Sequence, residues 1–126
     1  DSRVRFLDKS TAYREVFAET SLLVTDYSSV AFDFAYLRKP VIYFQFDKVE
    51  YFGTTYGTGY FDCARDGFGP VAASVDELKQ AIVAAVESGC NLPPEYRGRI
   101  DAFFAFNDCE NRRRVYEAIL AAANRP

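Results

Sequence analysis

Apolar positions along the chain change period several times, and each change predicts an element. Val4-Arg5-Phe6-Leu7 is short and mostly apolar, and Asp8-Lys9-Ser10-Thr11 supplies turn and N-cap side chains, which predicts a strand leading into a helix. Tyr13, Val16 and Phe17 then share one helical face. Leu22-Leu23-Val24 predicts a buried strand that ends in the polar cluster Thr25-Asp26-Tyr27-Ser28-Ser29. After the cluster, Val30, Phe34 and Leu37 recur at helical spacing, while Ala31 and Ala35 keep a second side narrow, as a helix packed closely on a sheet requires. Arg38 and Lys39 suit the negative end of that helix dipole, and Pro40 stops the helix. Val41-Ile42-Tyr43-Phe44 is another continuous apolar strand.

Gln45 to Pro70 shows little sustained period and is rich in Gly, Thr, Tyr, Phe and Asp, so it reads as a long surface excursion with one short strand near Tyr60. Its aromatic content argues against disorder. Ser74-Val75-Asp76-Glu77 is a capping box, continued by Val75, Leu78, Ile82 and Val86 on one helical face up to Ser88-Gly89. Pro93-Pro94 opens a further helix through about Phe104. Asn107 with Glu110 resembles a second capping box, starting a terminal helix that turns Val115, Ile119 and Ala123 to the core. Strands apolar on both faces alternating with helices predict an α/β domain, a Rossmann-like parallel sheet with helices on both faces. One domain over residues 1–126 is expected.

Composition narrows the function classes. The chain has 126 residues, 49% hydrophobic and 26% charged, which is the ordinary globular range. Net charge is -3 and the basic residues are scattered apart from Arg112, Arg113 and Arg114, so no cationic face for nucleic acid is expected. No apolar run approaches the roughly 18 residues of a membrane span. Three distant cysteines, Cys63, Cys90 and Cys109, fit neither a disulfide framework nor zinc spacing, and reduced cytosolic thiols are expected. Methionine is absent, at position 1 as elsewhere, so the chain reads as a piece of something longer.

The chemistry concentrates at Thr25-Asp26-Tyr27-Ser28-Ser29, where a strand gives way to a helix. In open parallel sheets, ligands bind beyond the carboxyl ends of the strands. Backbone N–H groups around Ser28, Ser29 and Val30, with the helix dipole, favour a phosphate there, and the Ser28, Ser29 and Thr25 hydroxyls add hydrogen-bond donors. The same residue types cap ordinary helices, a role worth about 1 kcal/mol. The pattern thus carries two readings, cap and anion seat.

The run LLVTDYSSVAFDFAYLRKPVIYFQFD, residues 22–47, resembles the signature of the CDP-glycerol glycerophosphotransferase family. GYFDCARDGFGPV, residues 59–71, and NDCENRRRVYEAI, residues 107–119, resemble later segments of the same family, so the likeness spans nearly the whole chain. It implies the C-terminal, donor-binding half of a B-type glycosyltransferase fold, with the N-terminal acceptor domain absent. The implied reaction moves glycerol phosphate from CDP-glycerol, or a similar CDP-alcohol, to a lipid-linked wall or capsule polymer. The implied parent protein works in the cytoplasm, peripheral to the inner face of the membrane.

Carried over by position, Thr25, Asp26, Ser28 and Ser29 would meet the phosphates or glycerol of the CDP-alcohol, and the helix-start reading adds the Val30 N–H to the expected site. Displacement at phosphorus needs charge stabilisation on the phosphoryl oxygens and a base for the attacking hydroxyl. Family members are expected to use histidines as that base, and this chain has none, so the base is expected from the absent half. The isolated chain is expected to bind without turnover, and no cofactor or metal is implied. Cys63 and Ala64 depart from an expected aromatic and acidic pair. Related alternatives are a CDP-ribitol or nucleotide-sugar transferase, and, from another class, a non-catalytic phosphate-binding doubly wound domain.

Other features carry a functional and a plain reading. Tyr43, Phe44, Phe46, Tyr51, Phe52, Tyr56, Tyr60 and Phe61 fit stacking of a cytosine ring, a lipid-facing groove, or packing among themselves. Gly53, Gly57 and Gly59 fit close backbone approach to phosphate or ordinary turns. Glu50, Asp62 and Asp66 lack metal-ligand spacing. The arginine triplet fits an anionic partner (the absent half, phosphate or lipid) or a solvated face.

Overall fold

A computed structural model describes residues 3–54 and 59–124. Three strands, β1 (Leu23–Thr25), β2 (Val41–Phe44) and β3 (Val71–Ala72), form one parallel sheet in the order β1-β2-β3. Seven helices accompany them: α1 (Tyr13–Glu19), α2 (Val30–Tyr36), α3 (Lys48–Thr54), α4 (Cys63–Asp66), α5 (Val75–Glu87), α6 (Pro94–Phe103) and α7 (Asn111–Ala123). The α/β class and the parallel sheet are those the sequence predicts, and both long apolar runs form strands in register, Leu23 beside Val41 and Thr25 beside Tyr43.

Strand parity divides the core. Val41 and Tyr43 point to the face covered by α2, where Ala31 and Phe34 join them and Phe17, Leu23 and Val71 close the rim. Ile42 and Ala72 lie on the opposite parity, and α5 packs over β2 and β3 there. A second cluster joins Ala35 of α2 to Phe68, Leu92 and Ile100, with Phe32, Phe61, Tyr96 and Phe104 packed against it. Thus α2 is buried on two sides, and small residues at 31 and 35 let it approach both.

Two glycines make the second cluster possible. A Cβ on Gly69 would stand 1.6 Å from the Val41 carbonyl oxygen, and one on Gly67 would stand 2.1 Å from that of Cys63. Between them Phe68 is fully buried, and its N–H donates to the Tyr43 hydroxyl at 3.3 Å. Burial pushes the Tyr43 hydroxyl up to about 12.

Several expectations are corrected. Val4-Leu7 forms no strand: the Asp8 carboxylate accepts from the Ser10 N–H and hydroxyl and turns the chain away from the sheet. Val4, Phe6 and Leu7 are left exposed. The third strand is instead Val71–Ala72, whose two residues are too few to register as a period. The 45–70 excursion contains α3 and α4, and there is no strand near Tyr60 among the described residues. Asp62, invisible as a cap in that irregular stretch, starts α4 by accepting from the Ala64 and Arg65 N–H groups.

Lys39 acts on α1 rather than on its own helix. Its ammonium donates to the carbonyls of Phe17 at 2.5 Å and Thr20 at 2.7 Å, closing the C-terminal end of α1. Arg38 takes a positive φ of 57° and reaches Asp101 at 2.7 Å. Leu37 therefore falls after the helix and is exposed instead of completing the apolar face.

The Ser74 box forms, with the Ser74 hydroxyl accepting from Glu77 N–H; the reciprocal Glu77 carboxylate takes the Ala73 N–H, one residue earlier than expected. Val75 and Val86 on α5 are exposed. Asn107 does not start α7: its amide donates to the Tyr36 carbonyl at 3.0 Å, at the C-terminal end of α2, and α7 begins only at Asn111. Val115 and Ile119 are about as exposed as ordinary surface residues, 59% and 60%, so the predicted core face of α7 meets no core of this chain.

Candidate functional site

β1 ends at Thr25, and the chain turns at once into a short polar loop before α2. The Asp26 carboxylate accepts from Ser28 N–H at 3.2 Å, and the Ser28 hydroxyl accepts from Val30 N–H at 3.4 Å. The Ser28 and Ser29 carbonyls accept from Ala31 and Phe32, opening the helix. Ser29 occupies the N-cap position with helical dihedrals and caps with no side-chain bond. Asp26, Ser28 and Ser29 are exposed, while Thr25, Tyr27 and Val30 are half-buried.

The loop borders a groove of about 210 Å³. Asp26, Tyr27 and Ser28 of the turn form one lip, Tyr51 and Phe52 of α3 form a wall, and Ala31, Phe32, Tyr43, Phe61 and Cys63 complete the lining. Thr25, Ser29 and Val30 are not among the lining residues, so the groove brings together two of the five predicted site residues. Larger hollows lie elsewhere, one of about 570 Å³ between α5 and the sheet, lined mainly by apolar side chains such as Ile42, Ala72 and Ala81. The 210 Å³ groove borders the turn at the carboxyl end of β1, the end of an open parallel sheet beyond which ligands bind.

Two groove residues, Tyr27 and Cys63, carry little sequence signal for a site role. Tyr27 stacks on Tyr51 with centroids 3.8 Å apart and donates to Asp47 at 3.0 Å. Its only sequence signal is its place inside the polar cluster. The Cys63 sulfur accepts from the buried Gln45 amide at 3.2 Å, and burial raises its thiol above the ordinary value, so it is a protonated, apolar floor to the groove.

Most of the aromatic set packs on itself. Phe61 meets Phe32, Phe68 and Phe103, Phe44 meets Phe46, and Tyr43 is buried. Tyr60 is exposed, and Tyr56 and Gly57 lie outside the described residues. Among the described residues no group of three or more His, Cys, Asp or Glu could hold a metal, and no helix is long and apolar enough to cross a membrane. Arg113 pairs with Glu110 and Glu117, and Arg114 pairs with Asp108 and covers the Phe106 ring at 3.7 Å, so two charges of the triplet are met locally.

The charges beside the groove define a pH response. The Lys48 ammonium, 2.9 Å away, holds the Asp62 carboxyl below its usual range, aided by the Arg65 and Ala64 N–H groups. Arg65 lowers Asp66 to about 2, and on the far side Arg114 lowers Asp108 to about 2. A carboxyl whose folded value lies below the unfolded one, about 3.9, adds stability above that pH and loses it as pH falls toward the folded value. With no histidine in the chain, the urea midpoint is expected to stay nearly flat from about pH 7 to 5 and to drop between about pH 4 and 2. Lys48→Met should shrink that drop, modestly because the pair is half-exposed; an undiminished drop would remove Asp62 from the account.

Comparison with known proteins follows the same residues. Residues 1–121 match the family described as CDP-Glycerol:Poly(glycerophosphate) glycerophosphotransferase. Over 121 residues the chain is 39% identical to the minor teichoic acid biosynthesis protein GgaB of Bacillus subtilis, covering 96% of this chain and 13% of that protein. It is 31% identical over 109 residues to the teichoic acid poly(glycerol phosphate) polymerase of Bacillus subtilis, covering 86% of this chain and 14% of that protein. A 65-residue stretch, 51% of this chain and 10% of the relative, is 38% identical to the teichoic acid poly(ribitol-phosphate) polymerase of Bacillus spizizenii. No solved structure matches the chain. The chain thus spans about one-seventh of the length of the first two relatives.

Proposed function

The chain belongs to the CDP-glycerol:poly(glycerophosphate) glycerophosphotransferase family, and from that premise we propose that it is the donor-binding part of a transferase moving glycerol phosphate from CDP-glycerol to a lipid-linked wall or capsule polymer. The observation that carries this reading is the exposed, hydroxyl-rich turn at the carboxyl end of β1, with Asp26 and Ser28 on the lip of the groove. Ser28 and Ser29 hydroxyls hydrogen-bond the donor phosphates, with Thr25 behind them and the Val30 N–H released from Ser28 to join. Asp26 is a poor neighbour for phosphate and a good acceptor for a glycerol hydroxyl, so the glycerol end lies on its side of the groove.

The chain supplies charge stabilisation and orientation; the base that deprotonates the attacking hydroxyl comes from an N-terminal acceptor domain of the longer protein. On this reading the longer protein has a B-type glycosyltransferase architecture, and the three-stranded sheet belongs to its C-terminal half. The working protein sits at the cytoplasmic face of the membrane, where a lipid-linked acceptor is presented. Ribitol phosphate is the second reading of the donor, favoured by the 38% identity to a ribitol-phosphate polymerase over 65 residues.

Titration of the chain with CDP-glycerol, CDP-ribitol, CMP and inorganic phosphate, followed by amide shifts, tests the site. The expected result is shifts clustered at residues 25–30 and along Tyr51-Phe52 with CDP-glycerol, and at 25–30 alone with phosphate. Shifts confined to other parts of the sheet would place the ligand elsewhere, and tighter binding of CDP-ribitol would select the second reading.

A further inference from the structure

Tyr27 lies between Asp26 and Ser28 in the chain and lines the groove with them, while its ring stack and its hydroxyl are engaged by α3 and the residue before it. Its ring lies 9° from parallel to Tyr51 and meets Phe52 edge-on at 5.4 Å. Its hydroxyl donates to the Asp47 carboxylate, and the Asp47 carbonyl accepts from Tyr51 N–H, so Asp47 also opens α3. Burial, with Asp47 adding to it, raises the Tyr27 hydroxyl well above the ordinary phenol value, and it remains a proton donor throughout the physiological range.

These ties matter because α3 has only seven residues and is too short to hold itself in water. A second tie runs from Lys48 to Asp62, on the side toward α4. The position of the groove wall formed by Tyr51 and Phe52 is therefore set by side chains, and Tyr27 is the one that belongs to the polar turn.

We propose that Tyr27 is a positioning residue for the nucleotide donor: its stack on Tyr51 and its hydrogen bond to Asp47 lock the hydroxyl-rich turn to α3, so that lip and aromatic wall meet the ligand as one body. One face of the ring is covered by Tyr51 and the hydroxyl is held by Asp47, so what remains of Tyr27 toward the groove is ring surface, and its stack and hydrogen bond set the spacing of Asp26 and Ser28 from Tyr51 and Phe52. The inference rests on the reading of the groove as the donor site.

Amide hydrogen exchange and CDP-glycerol affinity, measured together on the 126-residue chain and its variants, test it. Tyr27→Phe keeps the stack and deletes only the hydroxyl; exchange in 48–54 is expected to rise about fivefold, as for one ordinary hydrogen bond, and the dissociation constant to rise by about two- to fivefold. Tyr27→Leu removes the stack as well and is expected to raise both by about tenfold or more, with β2 and α5 amides unchanged. Asp47→Asn keeps an acceptor and is expected to hold both near their original values.

A uniform rise in exchange through β2 and α5 would make Tyr27 a general stabiliser and overturn the proposal. So would loosening of α3 with unchanged affinity. Failure of the unsubstituted chain to bind CDP-glycerol would overturn the donor reading itself, whereas a failed tie shows as α3 exchange that none of the substitutions moves.

Discussion

Gly69→Ala is expected to destabilise the fold by about 3 kcal/mol or more, the upper range for overpacking a close-packed interior. The added Cβ would lie 1.6 Å from the Val41 carbonyl oxygen, which is backbone inside the sheet and has no rotamer to change. Relief requires β2 and the Gly67-Phe68-Gly69 segment to separate, and Phe68, with no exposed surface, would lose the second core cluster with it. A domain of ordinary size is stable by only about 5–15 kcal/mol, so a loss of that size is a large fraction of the margin. Gly98→Ala in α6 is the internal control: nothing lies within 4 Å of its would-be Cβ, and helix propensity favours alanine by about 1 kcal/mol. Urea midpoints moving in opposite directions for the two variants are the expected result; a Gly69→Ala midpoint equal to the parent would mean the Val41 approach is not kept in solution.

Replacing Ser28 and Ser29 together by alanine in the full-length transferase is expected to lower transfer about a hundredfold. Each hydroxyl bound to a charged phosphate oxygen contributes about 1.5 kcal/mol or more, roughly a decade apiece. Stability should change far less. The Ser28 hydroxyl accepts from Val30 N–H in a long 3.4 Å bond, and Ser29 makes no capping bond, so the stability cost is about 1 kcal/mol at most. The single variants separate the roles: Ser28→Ala shows both the small stability loss and a transfer loss, Ser29→Ala a transfer loss alone. Unchanged transfer in the double variant, with intact unfolding, would reduce the pair to helix-start residues.

The legible parts of this chain are those where one local rule acts alone. The runs 22–24 and 41–44 are apolar on both parities and both contribute strands, but only 41–44 is buried as that pattern predicts; β1 (Leu23–Thr25) is an edge strand that leaves Val24 exposed, because no layer covers that side of it. Ser74 with Glu77 and the Ser88-Gly89 end bracket α5 as read, because capping chemistry involves residues three or four apart. The hydroxyl-rich turn was legible as a turn and as exposed, since strand end, polar cluster and helix start follow one another directly.

Misreadings arise where the partner lies far along the chain. Lys39 suits the end of its own helix by sequence but serves α1, nineteen to twenty-two residues away. Asn107 looked like a cap and instead holds Tyr36, seventy-one residues away. The α7 stripe at Val115 and Ile119 is a sound helical pattern, yet periodicity says only that a face is apolar and nothing of what covers it. Tyr27 went unread because a ring's partners depend on where α3 lands, and the irregular 45–70 stretch hid that helix.

By itself the sequence determined the α/β class, the parallel pairing of two strands, the α2 and α5 helices and the family, because these depend on short-range periodicity, capping and an ordered motif. Only the tertiary structure decided that β3 completes the sheet, that Gly67 and Gly69 must be glycines, and that three of the five motif residues, Asp26, Tyr27 and Ser28, share a groove with Tyr51, Phe52 and Cys63. Those outcomes depend on which distant backbone and side-chain atoms come within a few ångströms of one another, and that distance is a property of the packed layers and not of spacing along the chain.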